Sequence, residues 1–157
     1  MKRSAGILLY RKTKGGVVVL LVHPGGPFWR KRDEEAWSIP KGEYVEGELP
    51  LAAALREFAE EMGRAPEGTP QLLGELRQNS GKTVTAFALE GEFDVAELTS
   101  NLFELEWPPR SGRMQSFPEV DRAEWFPISD ARLKIIPGQR PFLDALESLA
   151  TGQPGQQ

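Results

Sequence analysis

Residues 42–63 read GEYVEGELPLAAALREFAEEMG, and the fold and the chemistry of the chain are both decided there. At about 100° per residue the second half forms an amphipathic helix. Leu51, Leu55, Phe58 and Met62 fall on one stripe, which is expected to face the core. Glu57, Glu60 and Glu61 fall on another, because positions three and four apart are neighbours on a helix. Burying the stripe therefore turns the three acids outward together. Pro50 suits the first helical turn, where its missing N–H is not needed, and Gly63 suits a C-terminal cap. The expected helix runs from Pro50 to Met62, about three to four turns.

Three like charges so close repel by a few tenths of a kcal/mol per exposed pair. A solvated surface tolerates that easily, so an acidic helix alone implies no chemistry. Here the helix is bounded by Gly63 and preceded by Trp37-Ser38-Ile39-Pro40-Lys41-Gly42, a strand-to-loop signal that uses the backbone freedom of glycine. Clustered carboxylates hold hard divalent cations against polyphosphates. A pyrophosphate chain is anionic and an acidic site alone repels it, whereas a bound cation reverses the local charge. The stretch makes the chain a candidate phosphoanhydride hydrolase.

The order Gly42, five residues, Glu48, seven residues, Arg56-Glu57, two residues, Glu60-Glu61, one residue, Gly63 matches the Nudix box. The chain resembles the Nudix (MutT-like) hydrolases over residues 4–149, departing from the box only at Arg64, where an aliphatic residue is usual. The resemblance implies an α/β/α sandwich, an α/β fold with a mixed β-sheet between helices. It implies Mg²⁺ or Mn²⁺ held by Glu57, Glu60, Glu61 and the main-chain carbonyl of Lys41, with Gly42, Glu48, Arg56 and Gly63 bracing the loop against the helix. It also implies in-line attack of water on phosphorus. In some relatives a box glutamate accepts the proton, here Glu57 or Glu60. In others a glutamate from a distant loop does so, for which Glu119 is the candidate, with Glu104, Glu106 and Asp121 competing.

The lead-in Trp37 to Gly42 resembles that of dinucleoside polyphosphate hydrolases of the diadenosine tetraphosphate type, as do Lys82-Thr83-Val84 and Glu119 ahead of Trp125. The tyrosine often found after the box in that branch is missing, since the tyrosines here are Tyr10 and Tyr44. Dinucleoside polyphosphates are thus the first choice of substrate and nucleoside triphosphates, cleaved to pyrophosphate, the alternative. A nucleotide-sensing module without catalysis is a third reading, disfavoured because every box carboxylate is kept. Lys41, Arg3, Lys82 and His23 are candidate phosphate contacts at strand ends, and Trp29 and Trp107 sit in loops where a ring can stack on a base.

Elsewhere, residues 4–10 and 17–22 read as strands joined by the Thr13-Lys14-Gly15-Gly16 turn. Residues 28–35 are a polar loop, 37–39 a brief strand, and 71–77 and 83–90 a hairpin across Asn79-Ser80-Gly81. Residues 99–118 read as a long loop, 124–126 as a short strand, and 130–136 and 138–149 as helices. Strands bracketing a helix, with further helices at the end, independently suggest a layered α/β arrangement.

Length and charge set the remaining expectations. A chain of 157 residues is read as one domain, residues 1–150, with a polar tail at 151–157. The net charge of −4 argues against nucleic acid polymers and acidic membranes as partners, while the resemblance implies a small-molecule nucleotide substrate. Without cysteine, disulfides and thiolate metal sites are excluded. The apolar runs at 6–10 and 17–22 are too short for a signal peptide or a membrane span. A cytoplasmic monomer or homodimer is expected.

Overall fold

The computed structural model describes residues 2–78 and 80–150. The centre of the fold is β1 (Arg3–Thr13), which pairs in parallel with β5 (Thr83–Glu90) along one edge. Its other edge is shared. The first residues pair with β3 (Lys41–Tyr44), and the last pair with β2 (Gly16–Pro24). β4 (Gln71–Arg77) and β8 (Val120–Pro127) complete a mixed sheet in the order β4-β5-β1-β2-β8.

Alternation along β1 sorts the two faces, because successive side chains point to opposite sides of a sheet. Ala5, Ile7 and Leu9 pack with Phe58 and Met62 of α1 (Pro50–Met62). Leu8 and Tyr10 pack with Ala131 of α2 (Ile128–Lys134) and with Phe142 and Leu146 of α3 (Arg140–Ala150). The sheet thus lies between α1 and the α2–α3 pair, the expected α/β/α sandwich. No helix among the described residues is long and apolar enough to cross a membrane.

The buried stripe of α1 differs from the expected one. Ala53, Ala54, Phe58 and Met62 are buried, Leu55 is half-buried, and Leu51 is 37% exposed. Positions 54, 58 and 62 share a face at i,i+4 spacing, and the alanines let the helix axis approach the sheet closely. Leu51, in the first turn, is left beside Leu49 and Leu72 on an apolar surface.

Two local expectations are corrected. Residues 37–39 form only isolated bridges, Trp37 with Ile135 and Ser38 with Val22, because Pro40 has no N–H to continue a ladder. The strand that carries the box is β3, immediately after it. Residues 99–118 are not an irregular loop. They contain a β-hairpin, β6 (Leu102–Glu106) and β7 (Met114–Pro118), paired from Leu102↔Pro118 to Glu106↔Met114. The short strand expected at 124–126 is the end of the longer β8. The Asn79 turn position and the tail at 151–157 lie outside the described residues.

Candidate active site

β3 and α1 together build the carboxylate cluster. Register with β1 places Lys41 opposite Gly6 and Gly42 opposite Ala5, with α1 packed on the same strand. A side-chain carbon on Gly42 would lie 2.0 Å from Oε1 of Glu57, so only glycine leaves room for that carboxylate against the strand. At the other end, Gly63 closes α1 in the left-handed region with φ 93°, its N–H donating to the Ala59 carbonyl.

Arg56 holds the cluster. Its Nε and Nη2 donate to the two carboxylate oxygens of Glu48 at 2.9 and 3.0 Å, a fork-to-fork pair that ties the loop after β3 to the helix. Its Nη1 donates to Oε2 of Glu57 at 2.7 Å and to Oε2 of Glu60 at 3.3 Å. The Glu48 pair, followed by the Glu57 and Glu60 bonds, raises the guanidinium pKa, while the same partner holds the Glu48 carboxyl below its usual range.

The acids nearer the strand carry their charge at a cost. Burial, then the neighbouring Glu57, push Glu61 up to about 8 from 4.5; Lys41 and its backbone hydrogen bond act in the opposite sense. Burial also raises Glu57, whose side chain is 13% exposed, against the lowering pull of Arg56. The Lys41 ammonium is lowered by burial, and Glu61 partly offsets this.

Glu119 joins this cluster from a distant part of the chain. The Asn101 N–H donates to the Glu60 carbonyl at 3.3 Å, and the Glu119 N–H donates to the Asn101 carbonyl at 2.9 Å. The Gly25 N–H donates to the carbonyl of Glu119 at 3.0 Å, and the Val120 N–H to the hydroxyl of Ser100 at 3.0 Å. These main-chain bonds bring the start of β8 to the C-terminal end of α1. The charge of Glu119 is accordingly among the causes that raise both Glu57 and Glu61. The competing acids point elsewhere: Asp121 to His23, Glu106 to the Gly112 N–H, and Glu104 to the Ser116 hydroxyl. Nothing in the residue type of Asn101 advertises its part, which is played by its backbone, whereas Ser100 contributes its side-chain hydroxyl.

The basic candidates divide. Lys82 stands 3.5 Å from Glu43 and is felt by Lys41, so both lysines belong to the strand ends beside the cluster. Arg3 is exposed at the start of β1, opposite Tyr44 and Thr83. His23 does not belong with them. It is 0% exposed, its Nε2–H donates to the Arg32 carbonyl at 2.6 Å, and its Nδ1 lies 2.8 Å from Asp121. With both nitrogens engaged in the interior, it cannot meet a phosphate; it fastens the segment after β2 to β8.

Among the described residues no three such side chains are already closed around a metal position. Arg56 draws an oxygen of Glu57 and one of Glu60 toward itself. The donor chemistry nevertheless fits a hard cation. The ligands available are oxygens, and Glu57 and Glu61 are acids that burial and mutual repulsion hold in need of positive charge. Glu57, Glu60, Glu61 and the Lys41 carbonyl are the groups that could hold it.

The model of the NUDIX domain matches residues 1–146 of the chain. The chain is 31% identical over 121 residues to an RNA pyrophosphohydrolase of Brucella anthropi, covering 68% of this chain and 64% of that protein. An RNA pyrophosphohydrolase of Brucella abortus is also 31% identical, over 68% of this chain and 63% of its own length. The chain thus spans somewhat less than two thirds of these relatives. Among solved structures, the Ap4A hydrolase of C. elegans in a binary complex aligns with a TM-score of 0.67 at 23% identity, covering 95% of this chain and 98% of the other. The NUDIX domain of Shewanella oneidensis NrtR with ADP ribose aligns with a TM-score of 0.61 at 18% identity, covering 94% and 87%. These likenesses concern the fold.

Proposed function

The chain belongs to the NUDIX family, and from that membership we propose that it is a divalent-cation-dependent hydrolase of a phosphoanhydride bond in a nucleotide. The observation that carries the reading is the cluster of Glu57 and Glu61 against β3, two carboxylates whose charge is held at a cost. Glu57, Glu60, Glu61 and the Lys41 carbonyl would hold Mg²⁺ or Mn²⁺. When bound, such an ion neutralises phosphate charge, orients phosphate oxygens and acidifies water. Glu48 and Arg56 keep the loop on the helix so that the acids stay aligned. Lys41, Lys82 and Arg3 meet phosphate oxygens as point charges. Glu119 takes the proton of a water attacking one phosphorus in line, with Glu57 and Glu60 as its rivals for that role; the bond to the departing phosphate oxygen breaks as the new P–O bond forms.

The lead-in at Trp37 to Gly42 favours dinucleoside polyphosphates as substrates. Nucleoside triphosphates, cleaved to pyrophosphate, are the alternative; the similar Brucella proteins are named RNA pyrophosphohydrolases, a name that shares the pyrophosphate release but not the free nucleotide. The reaction takes place in the cytoplasm. Turnover of a nucleotide panel with Mg²⁺, with products identified, tests this. A nucleoside triphosphate plus a monophosphate from a dinucleoside tetraphosphate supports the first substrate, and pyrophosphate from a triphosphate the second. Tight binding without turnover of any member leaves a nucleotide-sensing module instead.

A further inference from the structure

Two exposed segments meet at the hairpin whose second strand leads to Glu119. The Phe28 ring packs edge-on against Trp107 at 5.3 Å, joining residues 27–32 to the tip of the β6–β7 hairpin. Phe28 remains 63% exposed and its neighbour Trp29 37% exposed. The first segment carries Arg30, Lys31 and Arg32, and the hairpin tip carries Arg110 and Arg113, all exposed.

Among the described residues none of these five cations has a carboxylate partner; Arg32 lies instead over the Trp29 ring at 5.5 Å. Of the neighbouring acids, exposed Glu34 stays in the first segment and bears on Lys134, while three others are drawn away. Asp33 pairs with Lys134, Glu35 with Arg140, and Glu106 accepts the Gly112 N–H inside the tip. The net charge of −4 averages over this separation, with acids gathered at α1 and unmatched cations here.

We propose that this patch binds a single-stranded polynucleotide, its bases stacking on Phe28, Trp29 and Trp107 and its phosphates meeting Arg30, Lys31, Arg110 and Arg113. Aromatic rings interleaved with cations are the arrangement that holds single strands, since every base has a face to stack and every link a phosphate. The hairpin runs from the tip back to Glu119, about 13 Å from Met114 to Pro118 at strand spacing. A strand lying on the patch can therefore present its 5′ end to the carboxylate cluster. The choice of a polynucleotide over an acidic lipid surface rests on the proposed nucleotide chemistry of that cluster.

The test uses the full chain in EDTA with a labelled 5′-hydroxyl RNA of about 12 nucleotides, followed by fluorescence anisotropy across salt concentrations. Arg110→Glu with Arg113→Glu, and separately Arg30→Glu with Lys31→Glu, are each expected to weaken binding at least about tenfold and to flatten the log–log salt slope by about 1.4. Hydrolysis of small nucleotides is expected to be unchanged in both. An abasic chain of equal length is expected to bind at least about tenfold more weakly. Wild-type affinity in both charge-reversed pairs, equal affinity for the abasic chain, or binding to phosphatidylserine vesicles but not to RNA overturns the proposal. Because the probe has no phosphoanhydride and no metal is present, RNA binding with no nucleotide turnover keeps the patch and removes the hydrolase. Turnover with RNA affinity indifferent to the substitutions does the reverse.

Discussion

The sheet carries arginines and acids on both of its faces, and the two faces use them differently. Against α2 and α3, Arg132 pairs with Asp144 and Glu147, Lys134 with Asp33, and Arg140 with Glu35, all at the surface. Against α1, Arg56 answers to Glu48, Glu57 and Glu60 at once, and Glu61 is left to Lys41. Exposed pairs of the first kind are screened and interchangeable. In the second arrangement acids outnumber cations and are partly removed from water, so the cluster keeps an appetite for positive charge. The balance of charge and its burial, rather than the presence of ion pairs, separates a surface from a site.

Replacing one charged residue on each face gives the sharpest contrast. Glu61→Gln removes charge with little change of volume and is expected to lower Mg²⁺-dependent turnover by about two to three orders of magnitude, with the fold intact by circular dichroism. Near-normal turnover in that protein would erase the distinction between the faces. Next in size is Gly42→Ala. The added carbon falls on the Glu57 carboxylate rather than on backbone. The expected outcome is an about 10–100-fold loss of metal affinity by titration calorimetry, with a nearly unchanged thermal midpoint.

A smaller effect concerns pH. In the folded protein Glu61 holds its proton up to about 8, against 4.5 for the free side chain. The native state therefore binds more protons than the unfolded chain between those values, and linkage makes stability fall as pH rises through that window. Denaturant unfolding of the metal-free protein is expected to show this downward slope relative to Glu61→Gln, and saturating Mg²⁺ to oppose it. An identical pH profile for the two proteins would count against the burial of that charge. Smallest of all is Arg132→Ala on the opposite face, expected to change stability by no more than about 1 kcal/mol and turnover not at all.

Much of the architecture was legible because it follows from local periodicity. The helix from Pro50 to Met62, the strand hairpin of β1 and β2, and the two-faced sheet all follow from spacing along the chain. Two features are less legible in the sequence. The alternation Phe103, Leu105, Trp107 against Glu104 and Glu106 is strand-like, but the prolines and arginines that follow masked it. Of the expected helix stripe Phe58 and Met62 are buried but Leu51 is not, because small alanines decide which face sits closest to the sheet.

What the chain determined without its fold is the set of groups that neighbours in sequence bring together. Glu57, Glu60 and Glu61 share a helix surface, and Gly42 and Gly63 bound it, because dihedral geometry relates residues a turn apart wherever the helix lies. Only the folded molecule decided what lies beside them. Glu119 reaches α1 through Asn101, His23 is buried between Asp121 and the Arg32 carbonyl, and Phe28 meets Trp107 to gather cations from two segments. Those contacts join residues tens of positions apart, and they depend on packing across the sheet, for which no local spacing encodes a distance.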